Sequence, residues 1–181
     1  MLSNSQKKKV MKNKSNKEAE DRMFELFNKR NFLAVESFIE KYGCEFIDRD
    51  GRNLLMNLII EGKNKFAIEL IKRYSGKELN VNWQDNYGWT ALHFAVQEKS
   101  LDVLNALIEV KANMNLQDEY GRTPLFIAIF ENSDKLSIAL LENGADIYLS
   151  NKSGASPKDF LSNKLKKWIN ENLITDSKPT E

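Results

Sequence analysis

The chain carries one cysteine, Cys44, and one histidine, His93. A lone thiol closes no internal disulfide, and a lone thiol with a lone imidazole cannot assemble a zinc site of ordinary composition. Neither sign of charge prevails. With 27 basic side chains against 26 acidic the net is +1, so nothing in the balance draws the whole chain to nucleic acid or to an anionic membrane. No eighteen consecutive residues are all apolar, which excludes a spanning helix. Met1 to Lys17 is almost wholly polar and lacks the apolar stretch of a secretory signal. The phosphate-cradling patterns G-x-x-x-x-G-K-[ST] and G-x-G-x-x-G are missing as well. These absences lead to the expectation of a soluble, cytoplasmic protein with no metal, no cofactor and no catalytic constellation.

What is present begins with polar ends. Lys7, Lys8, Lys9, Lys12, Lys14 and Lys17 have no acidic residue to balance them, a composition unable to bury enough apolar surface to order itself. Residues 1–17 therefore read as a disordered leader, with weak contact to an anionic surface as the alternative. Residues 175–181 read as a frayed tail. The heavy use of Lys and Asn is assigned to genomic base composition, not to function.

Between the ends lies a repeat. Asp48-Arg49-Asp50-Gly51-Arg52-Asn53, Asp85-Asn86-Tyr87-Gly88-Trp89-Thr90, Asp118-Glu119-Tyr120-Gly121-Arg122-Thr123 and Asn151-Lys152-Ser153-Gly154-Ala155-Ser156 align on their glycines. The glycine spacings are 88−51 = 37, 121−88 = 33 and 154−121 = 33. Each segment predicts a turn, because an Asp or Asn side chain bonds its own backbone two residues on and glycine suits a positive φ. Two residues past each glycine stands a helix N-cap, Asn53, Thr90, Thr123 or Ser156, with Pro124 and Pro157 at the first helical position. Leu55, Leu92 and Leu125, then Leu58, Ala95 and Ala128, mark the apolar face of a short first helix. Leu70-Ile71, Leu107-Ile108 and Leu140-Leu141 mark a longer second one, closed in the last case by Asn143-Gly144. The unit beginning at Asp48 is four residues longer than the rest, with the excess within Tyr74 to Leu79, as a longer helix or as a bulged loop.

Thr90-Ala91-Leu92-His93-Phe94-Ala95 and Thr123-Pro124-Leu125-Phe126-Ile127-Ala128 resemble the T-P-L-H-x-A signature of ankyrin repeats. Val110-Lys111-Ala112-Asn113-Met114-Asn115 and Asn143-Gly144-Ala145-Asp146-Ile147 look like that family's hairpin arm. The resemblance covers roughly residues 18–174 and implies an all-α repeat solenoid. It would contain about five helix-turn-helix units, near 18–47, 48–84, 85–117, 118–150 and 151–174, with hairpin tips along one edge. Met23, Phe24, Leu26, Phe27, Phe32, Val35, Phe38 and Ile39 resemble a degenerate first pair. In the last unit Lys158 replaces the expected leucine, and Leu165, Trp168, Ile169 and Leu173 supply a closing amphipathic helix, as the end of a stack requires.

The resemblance also implies roles. His93 stands at the signature position, where family histidines bond neighbouring backbone, so a structural role is expected. Cys44 reads as a buried thiol, and a nucleophile is the remote alternative. Trp83, on the hairpin arm, is expected to brace adjacent units. Partner contacts in the family come from the concave face, here Arg49, Arg52, Ile60, Tyr87, Trp89, Gln97, Tyr120, Arg122, Phe130 and Glu131. Trp, Tyr and Arg are the types most enriched at binding hot spots. Tyr87, Trp89 and Tyr120 could serve a partner or brace the tips, and Phe130 and Ile60 could be exposed anchors. Phe130 could instead pack beneath the following unit.

The function expected is a non-catalytic protein–protein interaction module. Its partner would be another protein, not nucleic acid and not membrane, and it would act as a monomer. A bacterial toxin-neutralising (immunity) protein or a host-directed effector are alternatives on the same repeats. Trp89→Ala or Tyr120→Asp would leave folding intact on this reading and weaken partner capture by about 1–3 kcal/mol.

Overall fold

A computed structural model of the chain describes residues 17–29, 31–44 and 46–173. The expected leader, Lys17 apart, and the expected tail lie outside them. Helix α1 spans 17–27 and α2 Leu33–Tyr42. Three regular pairs follow: α3 Leu54–Ile60 with α4 Asn64–Tyr74, α5 Ala91–Gln97 with α6 Leu101–Glu109, and α7 Pro124–Phe130 with α8 Asp134–Glu142. One 3-10 turn, Pro157–Phe160, then precedes α9, Asn163–Asn172. Among the described residues no strand forms, only two isolated bridges, Ile47 with Asn53 and Ser75 with Leu79. First helices stack α3 on α5 on α7 on the 3-10 turn. Second helices stack α4 on α6 on α8 on α9. The architecture is an all-α repeat solenoid of two helical layers.

The first helices have only seven residues, too few to persist alone in water. Caps and burial hold them. The side chains of Asn53, Thr90 and Thr123 accept hydrogen bonds from the backbone N–H of Met56, His93 and Phe126 at 3.0, 3.4 and 3.1 Å. Every residue from Leu54 to Ile59, Ala91 to Val96 and Pro124 to Ile129 is buried. A helix buried all round needs cover on all sides. Each has it from the neighbouring first helices, its own second helix and its tip. Only the final residue of each, Ile60, Gln97 or Phe130, emerges toward water.

Two local outcomes go beyond the repeat pattern. The four-residue excess divides between the two alternatives: α4 has 11 residues where α6 and α8 have 9, and Gly76, at φ +72°, turns the chain in the loop beyond it. In the last unit the first helix shrinks to its single 3-10 turn. Lys158 is exposed, and within the turn only Pro157 is buried, so little apolar surface rewards a longer helix there. Leu165 and Ile169 of α9 are buried and close the core at that end. At the other end Met23, Leu26 and Phe27 are buried with Val35, Phe38 and Ile39, whereas Phe24 is half exposed.

Candidate partner-binding face

The tips are built by one side-chain oxygen each. Asp48 Oδ1 accepts the backbone N–H of Asp50 and Arg52, at 2.9 and 2.8 Å. Asp85 Oδ1 does the same for Tyr87 and Trp89, Asp118 Oδ1 for Tyr120 and Arg122, and Asn151 Oδ1 for Ser153 and Ala155, all within 2.8–3.0 Å. Successive tips are then joined through the backbone. Asn86 N–H donates to Asp50 O at 3.1 Å, Glu119 N–H to Tyr87 O at 2.8 Å and Lys152 N–H to Tyr120 O at 2.9 Å. Four tips therefore line one edge of the stack.

Side chains on the arms repeat a second set of links. Gln84 Nε2 donates to Gly88 O and Gln117 O, and Gln117 Nε2, one period on, donates to Gly121 O and Ser150 O. Asn82 Oδ1 accepts from Asn113 N–H, and Asn115 Oδ1 from Asp146 N–H. Trp83 Nε1 donates to Gly51 O at 2.7 Å and so ties its arm to the preceding tip.

His93 extends this scaffold inward. Its Nδ1 accepts the Thr90 backbone N–H at 3.0 Å, which leaves the proton on Nε2 to donate to Arg122 O, 3.1 Å away in the next unit. Burial holds its pKa down at about 4, outweighing the Arg122 carbonyl bond that pulls it up. A neutral, doubly bonded imidazole here is a strut. Burial also pushes the Asp85 carboxyl up, despite the N–H groups it accepts from Trp89 and Tyr87.

The expected site residues separate into two groups. Exposed are Arg49, Tyr87 (50%), Gln97, Tyr120 (58%), Phe130 (64%) and Glu131. Partly buried are Arg52, Ile60, Trp89 and Arg122. Arg122 Nε and its neighbouring nitrogen hold Asp118 Oδ2 at 2.8 and 2.7 Å, with the guanidinium 5.0 Å from the Tyr120 ring and 6.0 Å from Trp89. Arg52 lies between Asp50 at 3.4 Å and Asp85 at 3.8 Å and over Phe94, and its buried Nε has no hydrogen-bond partner.

Trp89 packs on Phe94 and His93 with ring centroids 5.1 and 5.6 Å away. Trp89→Ala would therefore open a gap against α5. Ile60 is partly buried and packs on the core. Phe130 is exposed, with its ring 6.4 Å from that of Phe126 and edge-on to Phe160 at 5.9 Å.

Between the first, second and third tips and α5 lies a cleft of about 350 Å³. It is lined by Arg52, Asp85, Tyr87, Trp89, Phe94, Gln97, Glu119 and Tyr120, and so draws together five of the ten expected residues. Phe130 holds in the next unit the place of Gln97, since 130−97 = 33. Phe160, 44% exposed, joins that aromatic end and was not anticipated. Its register, one period past Ile127, was the available signal. No group of three or more His, Cys, Asp or Glu is placed to hold a metal ion, and no helix is long and apolar enough to cross a membrane, among the described residues.

These tips, caps and paired helices are those of a known repeat class. A family model of ankyrin repeats in three copies matches residues 24–118, and one of a single ankyrin repeat matches residues 120–152. The chain belongs to the ankyrin repeat family. Such repeats are generally protein–protein interaction modules and typically non-catalytic. Among curated proteins the chain has no match.

Proposed function

We propose that this chain is a non-catalytic module that seats a partner protein on the face formed by its tips and first helices. The carrying observation is the placement of Tyr87 and Tyr120. Both rings stand half or more exposed at the mouth of the cleft, while the Trp and Arg side chains behind them are held by internal contacts. Large rings kept in water by a rigid scaffold lose little entropy on contact and bury much area. Phe130 extends the same face toward the last unit.

The test compares the wild-type chain with a Tyr87→Ala/Tyr120→Ala double variant and with Trp89→Ala. Each is immobilised and exposed to extract of the source cell, and its melting is followed separately. The double variant is expected to melt like the wild type and to lose a retained protein, at about 1–3 kcal/mol per ring. Trp89→Ala is expected to lose both retention and stability. Retention of an unchanged set of proteins by the folded double variant would refute the reading.

A further inference from the structure

We propose that the occupant of this face is a basic segment of a partner protein, with arginine or lysine side chains entering the cleft between the Tyr87 and Tyr120 tips. This rests on the reading of the face as a binding surface and adds the chemistry of what it binds.

The first support is a row of carboxylates with no internal use. Glu61, Glu98 and Glu131 are the C-cap residues of α3, α5 and α7, one per unit at one register. All three are exposed, and none forms an ion pair among the described residues; the same holds for Glu119 on the third tip. A helix C-terminus is the negative pole of its peptide dipoles, where a cation stabilises and a carboxylate does not. The last turns of α3, α5 and α7 carry no basic residue. Fold stability thus gives no reason for three stacked glutamates at these ends, whereas a cationic partner would.

The second support is the fate of the cations on the face. Arg122 is committed to Asp118, and Arg52 to Asp50 and Asp85. Exposed Arg49 and Lys152 sit on the first and last tips, and Lys99 follows Glu98 in the turn after α5. The middle of the face, around Glu98, Glu119 and Glu131, keeps its negative charge.

The third support is the cleft wall. The Tyr120 and Trp89 rings already attract one guanidinium, that of Arg122, from within the chain. Half-exposed Tyr87 and Tyr120 offer further ring surface to an incoming cation, with Glu119 in the same cleft to pair with it. An acidic segment would face four unpaired carboxylates. A purely apolar one would strip them of water and leave them uncompensated.

The experiment selects random short peptides on the full chain. It repeats the binding of those selected on Glu98→Gln/Glu119→Gln/Glu131→Gln and on Tyr87→Ala/Tyr120→Ala. Enriched peptides are expected to carry net positive charge and to weaken about tenfold or more on the triple variant and with added salt. The triple variant itself should melt no lower than the wild type, because it relieves charge at two helix C-termini. Peptides that need the tyrosines but are neutral or acidic, or that ignore the triple variant, would overturn the basic-partner proposal and leave the binding face standing. Peptides that ignore the tyrosines, or no enrichment at all, would overturn both. If a peptide of residues 1–17 added in trans outcompeted every selected sequence, the occupant would be this chain itself and the external partner would fall.

Discussion

A single imidazole links two units and makes the fold sensitive to acid. His93 is fully buried, with its pKa moved from an ordinary 6.5 to about 4, chiefly by desolvation. Lowering in the folded state means that the unfolded chain binds the proton more readily. The stability this group contributes is therefore complete above pH 6.5 and lost as pH falls toward about 4, roughly 3 kcal/mol over the whole window. Asp85, pushed up by burial, tilts the other way at the acid end. Urea unfolding across this range isolates the histidine when set against His93→Met, the residue type found at the matching Met56, because both proteins keep Asp85. The variant's profile is expected to be flatter. The tip glycines make a sharper contrast. Gly121 has φ +77°, and a Cβ there would meet Lys152 N at 2.8 Å and Asn151 Cα at 3.0 Å. Gly154 has φ +82° with nothing within 4 Å. Gly121→Ala is expected to cost more than about 2 kcal/mol and Gly154→Ala about 1 kcal/mol, read from denaturation midpoints.

At the scale of elements, the turn between the two helices of a pair has one position with positive φ, filled by Gly62, Lys99 and Asn132 in successive units. Lys99 carries a side chain at φ +52°, which an L-residue tolerates poorly. Lys99→Gly is expected to raise stability by up to about 1 kcal/mol, the unfolded-chain entropy of glycine taking back part of the gain. Helix pairs, caps and turns were legible in the sequence because each depends on residues within a few positions: Asp48 with Asp50 and Arg52, or Thr123 with Phe126. The shrunken last pair was half legible, since Lys158 flagged the lost leucine but not the 3-10 outcome. The internal service of Arg52 and Arg122 was illegible, and that of Trp89 stood only as one of two readings. It depends on which rotamer reaches an Asp or a ring, and a guanidinium on a tip looks the same in sequence whether it waits for a partner or grips its own turn. Asparagine serves the repeats beyond the caps and turns read from the sequence, for Asn82 and Asn115 each hold a backbone group at a repeat-specific place.

At the scale of the whole molecule, the cleft is a composite. Arg52 comes from the second unit, Tyr87, Trp89, Phe94 and Gln97 from the third, and Glu119 and Tyr120 from the fourth. No single unit presents it, so its shape depends on the stacking angle that His93, Gln84 and the tip bonds maintain. The backbone bonds between tips carry one more implication. Asp50, Tyr87 and Tyr120 each lend a main-chain carbonyl to the following tip, and Asn86, Glu119 and Lys152 each lend a main-chain amide. These main-chain bonds need no particular side chain, although Asn86 adds a side-chain bond to Arg49 O at 3.2 Å. Substitution at these places can rewrite the surface the molecule shows to others while the joinery stays unaltered, so a lineage can change clients without rebuilding the frame.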